Sequence, residues 1–127
     1  MAEHNIIGQK GEQIAVETMR KKGFRVVDTN WKFGHLEMDV IAVNRKEIAF
    51  VEVKTRTSSF GDKRPEEFVD ELKRRRMAAA ANAYIKIHQI ELVPRFDIIG
   101  ISMDPNTYEV KELTHLEDAF LPPQRTI

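Results

Sequence analysis

Residues Leu36–Thr55 read LEMDVIAVNRKEIAFVEVKT. Two strand-like runs, Leu36–Val43 and Ile48–Thr55, flank the short polar turn Asn44-Arg45-Lys46, so the segment is expected to form an antiparallel hairpin. Side chains two apart on a strand share a face. Glu37 and Asp39 are thus expected on one face of the first run, with Leu36, Met38 and Val40 on the other. In the second run Glu52 and Lys54 share a face with Ile48 and Phe50, while Ala49, Val51 and Val53 take the opposite one. Apolar residues on both faces mark a central strand. Central strands are buried, and burying an isolated carboxylate or ammonium costs several kcal/mol unless it is paired or binds metal.

Outward from the hairpin, Ile6–Lys22 is expected to be a helix with Ile7, Ile14, Ala15 and Met19 as its buried stripe and Gly23 at its C-terminal cap. Gly8 and Gly11 weigh against it, since glycine costs roughly 1 kcal/mol relative to alanine inside a helix. Phe24–Thr29 reads as a strand and Asn30–Gly34 as a turn. After the hairpin, Arg56–Arg64 reads as a loop, and Pro65 with Glu66 and Glu67 opens a helix to about Gln89. Val69, Leu72, Arg76, Ala79, Ala80, Ala83 and Ile87 are its expected packing face. Arg95–Ser102 is a fourth strand, Asp104-Pro105-Asn106 a turn, Thr107–Glu112 a fifth strand and Leu116–Phe120 a short helical turn. Residues 122–127 are expected to form a tail. The order helix, three strands, helix, two strands predicts an α/β sandwich around a central mixed sheet, in a single domain with its core at about 8–102.

Two neighbouring strands therefore bring acids towards one place. Like charges that close need a cation between them, or one must take up a proton. Magnesium prefers one or two carboxylates together with water and a substrate phosphate. A lysine nearby can orient or activate the water, or neutralise charge in the transition state. Asp39 on one strand and Glu52-x-Lys54 on the next are thus a coherent set for metal-assisted phosphodiester hydrolysis. The competing reading is a solvated strand face, worth about 0.2–1 kcal/mol per cross-strand pair. By spacing alone that reading carries most of the weight.

The surrounding residues change the balance. Gly11-Glu12, Ala15, Gly23-Phe24, Asn30, Glu37-x-Asp39-x-Ile41-Ala42, Phe50-Val51-Glu52-Val53-Lys54-x-Arg56, Phe60-Gly61, Lys73, Ala80 with Tyr84, and Arg95-Phe96-Asp97 follow in this order. The series resembles the YraN-like family of the restriction-endonuclease-like superfamily, the PD-(D/E)xK nucleases, which also holds archaeal Holliday-junction resolvases. The resemblance runs from about Gly8 to Ile101, and FVEVKTR is its most specific piece. It implies a four-stranded mixed sheet flanked by helices, with a metal site at one edge. It implies Asp39 and Glu52 as metal ligands, helped by a backbone carbonyl near Val53, and Lys54 as the catalytic lysine. Glu12 and Glu37 match further acids of the site, and Lys73 a basic position on the second helix. Leu36 departs from the glycine usual in the family, and Met38 stands where the superfamily sometimes has proline.

The expected activity is that of a Mg2+- or Mn2+-dependent endonuclease on DNA, branched or otherwise distorted, leaving a 5′-phosphate by the same resemblance. A resolvase-like role would suit a homodimer. Two other readings stand beside it: a nucleic-acid-binding module that kept the fold without catalysis, and an accessory protein of a larger machine. RNA is not excluded as substrate, and no nucleotide cofactor is expected. Lys73 and Arg76 are expected beside the apolar helix face, Arg76 as a phosphate contact and Lys73 in a phosphate or active-site role; Arg56, Lys63 and Arg64 are weighed equally as phosphate contacts and as an ordinary polar loop. For Arg74 and Arg75 a solvated helix face weighs at least as much as DNA contact. His4, His35, His88 and His115 show no ligand spacing, Trp31 and Phe33 suit packing more than base stacking, and Asp97 is expected to pair with Arg95 structurally.

Composition bounds these readings. The 127 residues hold 20 Lys+Arg against 20 Asp+Glu, which excludes a uniformly basic coat though not a local basic patch. From Asp104 onward five acids face two bases, so the preceding chain carries net +3. The absence of cysteine excludes a disulfide scaffold, a thiolate zinc site and a cysteine nucleophile. No basic-then-apolar leader and no run of about 18 apolar residues is present, so a cytoplasmic protein without a membrane segment is expected.

Overall fold

The computed structural model describes residues 2–59, 61, 67 and 69–121, with side chains from residue 6. Its elements are α1 (Ala2–Lys21), β1 (Arg25–Phe33), β2 (Leu36–Val43), β3 (Glu47–Arg56), α2 (Glu71–His88), β4 (Val93–Met103) and β5 (Val110–Phe120). The strands form one sheet in the order β1-β2-β3-β4-β5. Only β3 and β4 are parallel. Parallel neighbours need a long crossover, which α2 supplies. The fold is thus a mixed five-stranded α/β sandwich with β3 at its centre.

Each face of the sheet carries one helix. Ala15 and Met19 of α1 pack with Phe24, Val40, Ala42, Ala49, Val51, Ile99 and Ile101. Met77, Ala80, Ala81 and Tyr84 of α2 pack with Met38, Ile41, Ile48, Phe50, Phe96 and Ile98. Ile48 and Phe50 face α2 while Ala49 and Val51 face α1, the alternation expected of β3.

α1 ends as its glycine predicts. Gly23 sits at φ +92°, Phe24 N–H donates to Met19 O (3.1 Å) and Gly23 N–H to Arg20 O (3.0 Å). This is the Schellman closure, completed by contact of two buried side chains, Met19 and Phe24. Gly11 has a different purpose. It is buried against β3, where a Cβ would overlap Thr55 Cγ2. The glycine that weakens α1 as a helix is what lets it approach the sheet. Gly11→Ala is expected to destabilise the protein by about 1–2 kcal/mol despite alanine's better helix propensity. A urea titration checks this; an unchanged midpoint would mean that α1 shifts freely.

Four expectations are corrected. First, Asn30–Phe33 belongs to β1, not to a turn; the hairpin to β2 turns at Gly34-His35, with Gly34 at φ +61°. Asn30 stays within the strand at φ +50°, a conformation asparagine tolerates better than most residues. Second, α2 begins at Glu71, where the Asp70 side chain caps it by accepting from Lys73 N–H (2.8 Å). Pro65 and Glu66 lie outside the described residues. Third, the buried stripe of α2 is rotated from the expected one. Val69 and Ala80 are buried, but Leu72, Arg76, Ala79 and Ile87 are exposed and Ala83 half-buried.

Fourth, the fifth strand runs over Val110–Phe120 rather than Thr107–Glu112, so Leu116–Phe120 is strand rather than a helical turn; the five strands agree with the reading of the residues and exceed by one what the resemblance implies. The register of β4 on β5 shifts between Phe96 and Ile98, with Asp118 at φ +50°. That bulge resets the alternation, so Leu116, Ala119 and Phe120 reach the α2 core at a spacing that imitates a helix. No described helix is long and apolar enough to cross a membrane.

Candidate active site

The site lies where β2 parts from β3. Their ladder ends at Val40↔Val51. Beyond it, Asp39 Oδ2 takes the N–H of Val53 (2.8 Å), a donor the strand pairing leaves unused. N–H and C=O of one residue point to the same side of an antiparallel strand, so the Val53 carbonyl also faces β2.

Asp39 sits there because β2 loses its alternation. Met38 packs in the α2 core, yet Val40 packs in the α1 core, two residues apart on opposite faces. Asn30, at positive φ, lies between the pairs Thr29↔Val40 and Trp31↔Met38, directly across from Asp39. The expectation that Met38 and Val40 share a face is therefore wrong. The twist at this level brings Asp39 within reach of both layers.

On the α2 side Asp39 shares a hydrogen bond with Glu52. Glu52 Oε2 is also 3.2 Å from Lys73 Nζ. Burial and the Asp39 charge push the Glu52 pKa up to about 7, against the pull of Lys73. Burial raises Asp39 as well, opposed chiefly by the Val53 N–H. Both carboxyls are thus raised, because two buried acids side by side disfavour a second negative charge. On the α1 side, Glu12 Oε1 accepts from Asn30 Nδ2 (2.7 Å); burial first, and the Asp39 charge, raise its pKa in spite of that bond. Gly8, Gln9, Glu12, Asn30, Asp39, Val53 and Thr55 line a polar cavity of about 310 Å³ here.

The folded protein keeps a proton on Glu52 above the ordinary carboxylate value of 4.5. Stability from this group is therefore full below about pH 4.5 and is lost as pH rises through about 7. In metal-free buffer the Tm is expected to fall by roughly 5 °C between pH 5 and 8 on this account. Glu52→Gln should flatten that decline, and a scan by differential scanning fluorimetry measures both proteins. An equal decline in the variant would contradict the assignment.

Of the expected site residues, Asp39, Glu52, Val53 and Glu12 gather at this junction. Glu37 is exposed, near enough for its charge to raise Asp39. Lys54 lies on β3, half-buried, two residues after Glu52. Lys73, expected on phosphate or at the site, pairs with Glu52 directly. Arg56 ends β3, half-buried. Arg76, expected beside the packing face, is exposed. Lys63 and Arg64 lie outside the described residues. The site is on the central strand rather than at a sheet edge. Its partner to Glu12, Asn30, was not singled out for the chemistry; its side-chain type, which favours positive φ, was the available signal.

The other candidates are structural. Asp97 is buried and accepts from Arg95 (2.9 Å), His115 (2.7 Å) and Asp118 N–H (3.0 Å). His88 Nδ1 is 3.1 Å from Tyr84 O, with its ring stacked on Tyr84. Trp31 packs edge-on against Tyr84, whose hydroxyl donates to Asp28 (2.7 Å). Among the described residues no three His, Asp or Glu side chains gather closely enough to hold an ion by themselves. Asp39 and Glu52 stand together at the junction as a pair of carboxylates.

Sequence comparison places this geometry among relatives. Residues 11–101 match the family described as Uncharacterised protein family UPF0102. A UPF0102 protein of Parabacteroides distasonis is 42% identical over 125 residues, covering 98% of this chain and all of the relative. Similar proteins occur in Bacteroides thetaiotaomicron (40% over 123 residues, 97% of this chain and 98% of the relative) and Flavobacterium psychrophilum (40% over 121 residues, 94% and 98%).

Proposed function

The chain belongs to the UPF0102 family, and we propose that it is a Mg2+- or Mn2+-dependent endonuclease with a restriction-endonuclease-like fold, hydrolysing phosphodiester bonds in DNA. One observation carries the reading: Asp39 and Glu52, from adjacent strands, are both largely buried at one junction, Asp39 fixed by the Val53 N–H (2.8 Å) and Glu52 by Lys73 (3.2 Å), and burial there raises the pKa of both. A solvated strand face would keep its carboxylates apart and ionised. This pair is preorganised at a cost, which a divalent cation would relieve.

The donor set fits such an ion. Asp39 and Glu52 would hold it, with the Val53 carbonyl on the same side of β3. When bound, the ion polarises a phosphoryl oxygen and makes water a better nucleophile. The remaining work falls to the protein. The Val53 N–H fixes the Asp39 carboxylate and prevents it from turning away. Asn30 fixes Glu12 at the mouth of the cavity, where it can orient a water. Lys54 supplies a positive charge for the attacking water or the leaving oxygen. Lys73 and Arg56 supply phosphate contacts. Intracellular, cytoplasmic action on branched DNA as a homodimer is the form of this activity closest to the resemblance.

The test is a cleavage panel of duplex, single-stranded, flap and four-way-junction DNA, in Mg2+ and in Mn2+. Ion-dependent cutting of at least one shape is expected from the wild type. Duplex binding that ignores divalent ions, with no cutting of any shape, would favour the non-catalytic binding module instead.

A further inference from the structure

We infer that Lys73 is a stand-in cation: its ammonium occupies the charge position on Glu52 that a divalent ion takes, and is released towards substrate phosphate when the ion arrives. The inference rests on the nuclease reading of the same site and adds to it a coupling between metal and substrate.

The geometry is specific to this lysine. Four consecutive bases, Lys73 to Arg76, open α2. Arg75 pairs with Glu71 on the helix surface (2.8 Å). Arg74 donates to Val69 O (3.1 Å) and lies over the Phe120 ring. Lys73 alone of these pairs with the site, on Glu52, whose side chain is only 14% exposed. Its own side chain remains 34% exposed, so the ammonium has solvent to move into. Its backbone is held by the Asp70 cap, which leaves the side chain as the moving part.

Two cations cannot share one buried carboxylate oxygen without mutual repulsion. A divalent ion entering between Asp39 and Glu52 must therefore push the ammonium off Glu52. The freed ammonium stays tethered at the site's rim, where a phosphate is its natural partner. Linkage then requires reciprocity: whatever the ion gains from phosphate capture of Lys73, phosphate gains from the ion.

The test compares wild type, Lys73→Gln, Lys73→Arg and Asp39→Asn. Mn2+ affinity is measured alone, by electron paramagnetic resonance at about pH 8.5, where Glu52 is largely ionised. Removing the competitor is expected to tighten Mn2+ binding about ten-fold in Lys73→Gln, while Lys73→Arg stays near wild type. A misfolded variant cannot yield such a gain. In a second arm, Ca2+ is expected to tighten wild-type binding of a labelled duplex about ten-fold and that of Lys73→Gln little. Equal Mn2+ affinity in wild type and Lys73→Gln would overturn the inference and leave the nuclease reading standing. Mn2+ binding that is unchanged by Asp39→Asn would overturn both.

Discussion

Asp39→Asn is expected to lower DNA cleavage by about 10³-fold or more while the protein remains folded. Asparagine is nearly isosteric and keeps one oxygen to accept the Val53 N–H, now 2.8 Å from Asp39 Oδ2. What it loses is the charge that would hold a divalent ion. It also removes the repulsion that raises Glu52, so the variant should melt no lower than wild type at neutral pH. Loss of activity with retained stability is the signature of a residue that serves function at a cost to the fold. Cleavage rates on the substrate that wild type cuts, paired with melting curves, read both quantities. Undiminished cutting would remove Asp39 from the mechanism.

Asp97→Ala is expected to act the opposite way, costing about 3–5 kcal/mol of stability. Asp97 is completely buried, and both of its oxygens are used. Burial alone would raise its pKa, but the hydrogen bonds from His115 and Asp118 and the charge of Arg95 outweigh it and hold the carboxyl below 3.8. Its contribution is therefore present above that pH and lost only as pH falls through the lowered value. Alanine would leave the Arg95 guanidinium, whose side chain is 11% exposed, without its most buried counter-charge. It would also free the Asp118 N–H and loosen the bulge that seats β5. Arg95 would keep only its bonds to Glu47 (3.4 Å) and Glu117 (3.1 Å). Against a typical total of about 5–15 kcal/mol, such a loss brings the domain close to unfolding. Chemical denaturation measures it, and a loss under about 1 kcal/mol would show that the network is dispensable.

These two aspartates show what could be read in advance. Asp97 was legible from its strand neighbour as Arg95's partner, whereas for Asp39 strand spacing gave only its place beside Glu52 and the resemblance supplied the proposed role. Period-two alternation is local, so the β2–β3 hairpin and the faces of β3 followed from the chain alone. Capping chemistry is local too, and Gly23 marked the end of α1 correctly. The misreadings fall where a distant element reset a local pattern. Asn30 at positive φ breaks the alternation of β2, and the Asp118 bulge breaks that of β5.

By itself, then, the sequence determined a mixed sheet between two helices, with Asp39 and Glu52 on adjacent strands. It misplaced the packing face of α2, because that helix carries two apolar stripes. One runs through Leu72, Ala79, Ala83 and Ile87, the other through Met77, Ala80, Ala81 and Tyr84. Spacing alone pointed to the first. The tertiary structure chose the second, because Phe50, Phe96 and Trp31 offer Tyr84 and Met77 a complementary surface. That rotation carries Lys73 onto Glu52 and leaves Arg76 in solvent. Helix phase is a property of the interface rather than of the helix, and the composition of the site depends on it.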